Sequence, residues 1–139
     1  EYKLYNEKNS ALGVAQGDET RVRVIGLDFS PKDKSLWAAV YLARKPLVSL
    51  DVDGTWRSYD LPGFSTEVAE VKVDRNGYKW IVPRREIGVM VFDEGKLDDP
   101  TDDRSIVLNS SNSNLQTNKI LIFCRSLKKL LFRILVQAC

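Results

Sequence analysis

The chain has 139 residues, 43% of them hydrophobic and 29% charged, with a formal net charge of +2. These proportions belong to an ordinary globular chain of about one domain, and disorder is excluded as the default state. Histidine is absent, which removes the commonest general base and metal ligand, so Ser-His-Asp, Cys-His and zinc-hydrolase mechanisms are excluded for this chain alone.

The charge is uneven. Residues 117 to 139 carry Lys119, Arg125, Lys128, Lys129 and Arg133 and no acid, so the other 116 residues sum to −3. A duplex-binding body shows a basic stripe interleaved with aromatics; that footprint is missing, and no nucleic-acid partner is expected. Cys124 and Cys139 both fall in the terminal stretch, outside any C-x-x-C spacing, and read as two free thiols. The chain opens on Glu1 and its one methionine is Met90, so its start is expected to have been removed or not included. No signal peptide or membrane span can be argued from the residues present.

In chain order, residues 1 to 20 begin with "EYKLY", whose Tyr2 and Tyr5 match Trp56 and Tyr59 in the later "TWRSY". They read as the end of a preceding unit. Residues 21 to 64 alternate apolar and polar side chains, the period of a half-buried strand, with strands expected near 22–29, 36–42, 46–51 and 55–60. Residues 65 to 116 repeat the pattern near 68–73, 78–82, 87–93 and 104–108. Trp37 and Trp80 lie 43 positions apart, Leu27 and Phe29 align with Val71 and Val73 at a shift of 44, and Gly54 aligns with Gly95 at a shift of 41. Asp74-Arg75-Asn76-Gly77 is expected to turn tightly, with Asn-Gly supplying positive φ angles, and Asp53-Gly54 to do the same in the first unit.

A four-stranded antiparallel unit recurring every 40-odd residues is the signature of a β-propeller blade. The expected fold is therefore all-β: two blades, 21–64 and 65–116, with partial blades at either side. Leu27, Phe29, Trp37, Gly54, Trp56, Val71, Val73, Gly77, Trp80 and Gly95 form the repeated structural core. Two similar hairpins in a β-sandwich would alternate in the same way. A ring takes four to eight blades, so two make a piece of one.

The phrase "VKVDRNGYKWIVP…GVMVFDEG" resembles the two-component regulator propeller repeats of Bacteroidota, and residues 21 to 116 are similar to the N-terminal propeller of PorZ-like components of the type IX secretion system. "LNSSNSNLQTNKI" (108–120) resembles the linker that leads into the next blade of such proteins. Many regulator repeats follow the tryptophan with a glycine- and threonine-rich turn. Here Trp80 is followed by Ile81, Val82, Pro83, Arg84 and Arg85, which tilts the resemblance toward the PorZ-like side.

The resemblance implies a non-catalytic, extracytoplasmic segment of a cell-surface component with glycan or protein ligands. Its alternative is the periplasmic input module of a hybrid sensor histidine kinase, and a propeller hydrolase or lyase ranks third. Residues 117 to 139, "TNKILIFCRSLKKLLFRILVQAC", lack the aspartate, glycine and tryptophan of a third blade. Polar positions 125, 128, 129 and 133 share one helical face, so a basic amphipathic helix at a membrane surface is one expectation and a reading-frame slip the other.

No catalytic residue, metal or cofactor is expected. The acidic string "DEGKLDDPTDD" (93–103), with Asp93, Glu94, Asp98, Asp99, Asp102 and Asp103, does not match the calcium-loop spacing and reads as a solvated loop. Asp51 to Gly54 reads as a hairpin turn, and no pair of carboxylates is fixed across a cleft for glycosidase chemistry. Arg44 and Lys45 leave one tryptophan strand where Arg84 and Arg85 leave the next. Adjacent blades would set both pairs on one rim, where charge-assisted bonds could hold an anionic glycan or lipopolysaccharide.

Overall fold

The computed structural model describes residues 2–97, 99–120, 122–125 and 132–135, the last two stretches as backbone strands. Strands β1 (Val24–Phe29), β2 (Leu36–Val40), β3 (Leu47–Leu50) and β4 (Trp56–Tyr59) form one antiparallel sheet in sequence order. Strands β5 (Val68–Val73), β6 (Lys79–Pro83), β7 (Val89–Asp93) and β8 (Arg104–Leu108) form a second of identical topology. All eight expected strands are present, with ends moved by at most two residues, and no helix occurs among the described residues. Each sheet is a plain meander, not the Greek-key exchange of a sandwich, and β1 packs beside β5 as the innermost strands of neighbouring propeller blades do.

The tail departs from the helical expectation. Ile122–Arg125 (β9) and Phe132–Leu135 (β10) pair antiparallel, with Phe132 opposite Arg125 and Leu135 opposite Ile122. Isoleucine and phenylalanine favour the pleated surface of a sheet, and here that preference outweighs the helical spacing of the cations. Lys128, Lys129, Cys139, Asp98 and the side chains of Cys124 and Arg133 lie outside the described residues.

The turn-plus-tryptophan repeat has a physical cause. In the second sheet the Asp74 carboxylate accepts from the Asn76 and Tyr78 amides at 2.8 and 3.1 Å, and from the Trp80 indole N–H at 3.1 Å. One side chain thus fixes both the turn and the ring. Only Gly77, at φ 94°, is left-handed, so the loop is a three-residue-type turn ending in glycine and not the doubly positive turn expected from Asn-Gly. The first sheet reaches the same end with other residues. Lys34 takes the positive φ (66°), Asp33 accepts from Ser35, and the Trp37 indole donates to Ser35 Oγ at 2.8 Å.

Side chains directly opposite across a strand pair share a face. The row Asp28, Trp37, Ser49, Arg57 therefore points at the second sheet, and the row Val73, Lys79, Phe92, Ser105 points back at the first. Between them lies the main core, with Trp37, Leu47, Val71, Ile81 and Phe92 buried. Gly26 is needed here, because a Cβ would stand 3.1 Å from both Glu70 Cα and Val71 N where the innermost strands converge. Asp28 bridges the sheets by accepting from the Val73 amide at 2.9 Å.

Four positions of the expected repeated core are exposed: Gly54 and Gly95 are turn residues at φ 89° and 57°, and Leu27 and Phe29 lie bare. Leu27 and Phe29 are 54% and 63% exposed, whereas their counterparts Val71 and Val73 are buried. The first sheet covers Val71 and Val73, but nothing among the described residues covers Leu27 and Phe29. Trp56 and Trp80 also lie on outward faces and are half-buried, Trp56 edge-on to Tyr5 and Trp80 clustered with Leu108 and Leu115.

Tyr59 sits between the Trp37 ring, stacked at 5.2 Å, and the Phe92 ring, edge-on at 5.4 Å. Burial pushes its phenol up to about 12, above the ordinary value of 10.0. At alkaline pH the unfolded chain therefore releases this proton first, so stability falls as pH rises above about 10. Tyr59→Phe removes that limb. Urea midpoints from about pH 9 to about pH 11.5 should drop less steeply in the variant, and parallel curves would refute the assignment.

Candidate functional site

Both tryptophan strands end in turns that meet at one rim. The Leu42 amide donates to Thr66 O at 2.8 Å and the Arg84 amide to Glu67 O at 2.7 Å, so the chain linking the two sheets ties both turns to itself. The Arg84 guanidinium lies 5.3 Å from the centre of the Tyr41 ring, a contact between the two turns that combines charge and ring electrons. Arg85 donates twice to Glu67 Oε1, at 3.0 Å from Nε and 2.5 Å from Nη2. That pairing holds the Glu67 carboxyl below its usual range and raises the guanidinium above its own.

Arg84 and Arg85 open onto a cavity of about 310 Å³, together with Glu70, Glu86, Lys119 and Ile120. The volume lies at the small end of the range for ligand pockets. Lys119 stands 3.6 Å from Glu86 and brings a third cation to the wall. Sequence reasoning passed over Lys119 as part of a basic tail. The signal that would have found it is structural: the 109–120 segment folds back, with Asn118 O accepting from the Gly88 amide at 3.1 Å.

The other two predicted cations go elsewhere. Lys45 pairs with Asp60 at 3.7 Å and faces a second cleft of about 530 Å³, whose walls include Arg57, Tyr59, Leu97 and Asp103. Arg44 is exposed and lines neither space. The structure therefore joins Arg84 and Arg85 with Lys119 and separates them from Arg44 and Lys45.

The acidic loop is less solvated than its composition suggests. Glu94 is only 8% exposed and pairs with Lys79, while Asp102 and Asp99 hold the loop by accepting from the Lys96 and Thr101 amides. Burial, with Asp102 and Glu94 nearby, raises the Asp103 carboxyl above its ordinary range. Among the described residues no group of three acidic or thiol side chains is placed to hold a metal ion. Chemically, the rim cavity offers exchangeable ion pairs: an incoming anion can take over guanidinium and ammonium donors from Glu67 and Glu86.

No protein-family model and no curated protein matches the sequence. Among solved structures, the chain is similar to PorZ, an essential bacterial surface component of the type IX secretion system of the human oral-microbiome species Porphyromonas gingivalis. The superposition has a TM-score of 0.67 at 18% identity and covers 88% of this chain. The chain spans 18% of the length of that structure. The likeness carries the fold, an all-β pair of stacked four-stranded antiparallel sheets such as a propeller contains.

Proposed function

We propose that the chain is a non-catalytic binding segment of a bacterial cell-surface component of the PorZ kind. In this reading the Arg84, Arg85 and Lys119 cavity takes an anionic glycan of the lipopolysaccharide type, and the neighbouring loops meet protein partners of a secretion assembly. The observation that carries it is the convergence of three cations on one cavity at the edge of the two stacked sheets. Guanidinium groups suit this task because they present planar paired donors to phosphate or carboxylate. The cell-surface setting comes from the fold likeness to PorZ.

Titration with a phosphorylated core oligosaccharide, followed by calorimetry, tests the site. The triple substitution Arg84→Ala, Arg85→Ala, Lys119→Ala should weaken binding at least about tenfold, and salt should weaken the wild type. Arg44→Ala and Lys45→Ala should leave affinity within about twofold, since neither residue reaches the cavity. Unchanged affinity in the triple variant, or equal binding of neutral dextran, would overturn the proposal.

A further inference from the structure

The Asn76-Gly77 pair that shapes the β5–β6 turn is also chemically labile. The main-chain nitrogen that follows an asparagine can attack that residue's side-chain carbonyl carbon, and glycine, having no Cβ, leaves the path open. The chain holds seven asparagines, at 6, 9, 76, 109, 112, 114 and 118, and Asn76 alone precedes a glycine.

Hydrogen bonding singles out the same residue. Asn6 Oδ1 accepts from the Lys8 amide, Asn9 Oδ1 from Asn6, Asn109 Oδ1 from Ser111, Asn112 Oδ1 from Asn109 and Asn118 Oδ1 from Ser110, so each of these side chains is held. Asn114 is followed by Leu115, whose branched side chain crowds the attacking nitrogen. Asn76 is exposed at the tip of its turn, and its side-chain amide bonds to no described residue. One contact opposes the attack: the Gly77 amide donates to Asp74 O at 3.1 Å, and that bond must open before the nitrogen can swing onto the Asn76 side chain. A single neutral hydrogen bond slows the step by about tenfold at most.

We propose that Asn76 is a site of spontaneous deamidation, with water as the co-reactant and isoaspartate as the main product. The Gly77 nitrogen bonds to Asn76 Cγ, the Cγ–Nδ2 bond breaks, and the proton of that nitrogen leaves with the amide group as ammonia, closing a succinimide. Water then opens the ring at either carbonyl. Opening at the main-chain carbonyl leaves isoaspartate, whose backbone runs on through the former side chain; opening at Cγ leaves ordinary aspartate.

The two products differ in what they do to the turn. Asp74 Oδ1 reaches both the Asn76 and the Tyr78 amides while Oδ2 holds the Trp80 indole. Isoaspartate lengthens the backbone between those two amides by one carbon, so the carboxylate loses its grip on the far side of the turn and on the ring beyond it. Aspartate adds a charge but no length and keeps the clamp.

Ageing of the intact protein in mildly alkaline buffer, followed by peptide mass spectrometry, tests the site. Asn76 should show the exchange of amide for acid before any other asparagine, and Asn76→Gln should abolish it at that position, because the larger ring closes slowly. The isoaspartate form, separated from the aspartate form by ion exchange, should melt at least about 3 °C below the fresh protein, while Asn76→Asp should stay within about 1 °C of it. Earlier conversion of another asparagine, no conversion of Asn76 in the folded protein, or an isoaspartate form that melts with the fresh protein would overturn the proposal.

Discussion

Trp37→Ala should destabilise the chain by about 3 to 5 kcal/mol, the range for removing a fully buried large aromatic. Trp37 has 0% exposure, stacks on Tyr59 and lies 4.1 Å from the Lys79 ammonium, so the substitution opens a cavity at the centre of the sheet-to-sheet contact. It also removes the indole N–H that Ser35 Oγ accepts, leaving that hydroxyl bonded to Asp33 alone. Trp80→Ala removes the same chemical group from the equivalent position, but Trp80 is half-buried, on an outward face where it clusters with Val82, Val89, Leu108, Leu115 and Ile120. Its effect should be below about 2 kcal/mol, as partial burial implies. Paired urea titrations decide the matter. Equal losses would mean that the outward face of the second sheet is as well covered as the inner one.

That inequality marks what the sequence could and could not disclose. Alternation and the 43-residue spacing of Trp37 and Trp80 were enough to locate eight strands, because each strand's pattern is local to it. Which repeat is covered is a different matter, since it depends on neighbours in space. Leu27 and Val71 read identically along the chain, yet one is half bare and the other sealed. The tail failed for a related reason: a 3.6-residue pattern of cations is visible in residues 125 to 133, while the pairing of Ile122–Arg125 with Phe132–Leu135 is not local.

The rim was legible in part. The two turns do come together, through the unforeseen contact of Arg84 with the Tyr41 ring. The direction in which each long side chain leaves the rim was not encoded in the repeat, and Lys45 turns toward Asp60 and the outer cleft. Lys119 joins through a fold-back of the 109–120 segment.

Lys79→Ala should be as damaging as the loss of Trp37, for an electrostatic reason. Lys79 has 0% exposure, its ammonium bonds to Glu94, and burial holds it below the usual lysine range against the opposing pull of Glu94. Removing one member of such a pair leaves a buried, uncompensated carboxylate, at a cost of about 3 to 5 kcal/mol. The pair as a whole is worth far less, because desolvating two charges offsets most of their attraction. The first sheet supplies the comparison: register sets Leu36 in the place of Lys79 and Leu50 in the place of Phe92, and Val52 follows Leu50 by two residues as Glu94 follows Phe92. The double substitution Lys79→Leu, Glu94→Val should therefore recover stability to within about 1 kcal/mol of wild type, or exceed it. A double variant as unstable as Lys79→Ala would show that the ammonium's place under Trp37, and not the charge balance with Glu94, is what the interface between the sheets requires.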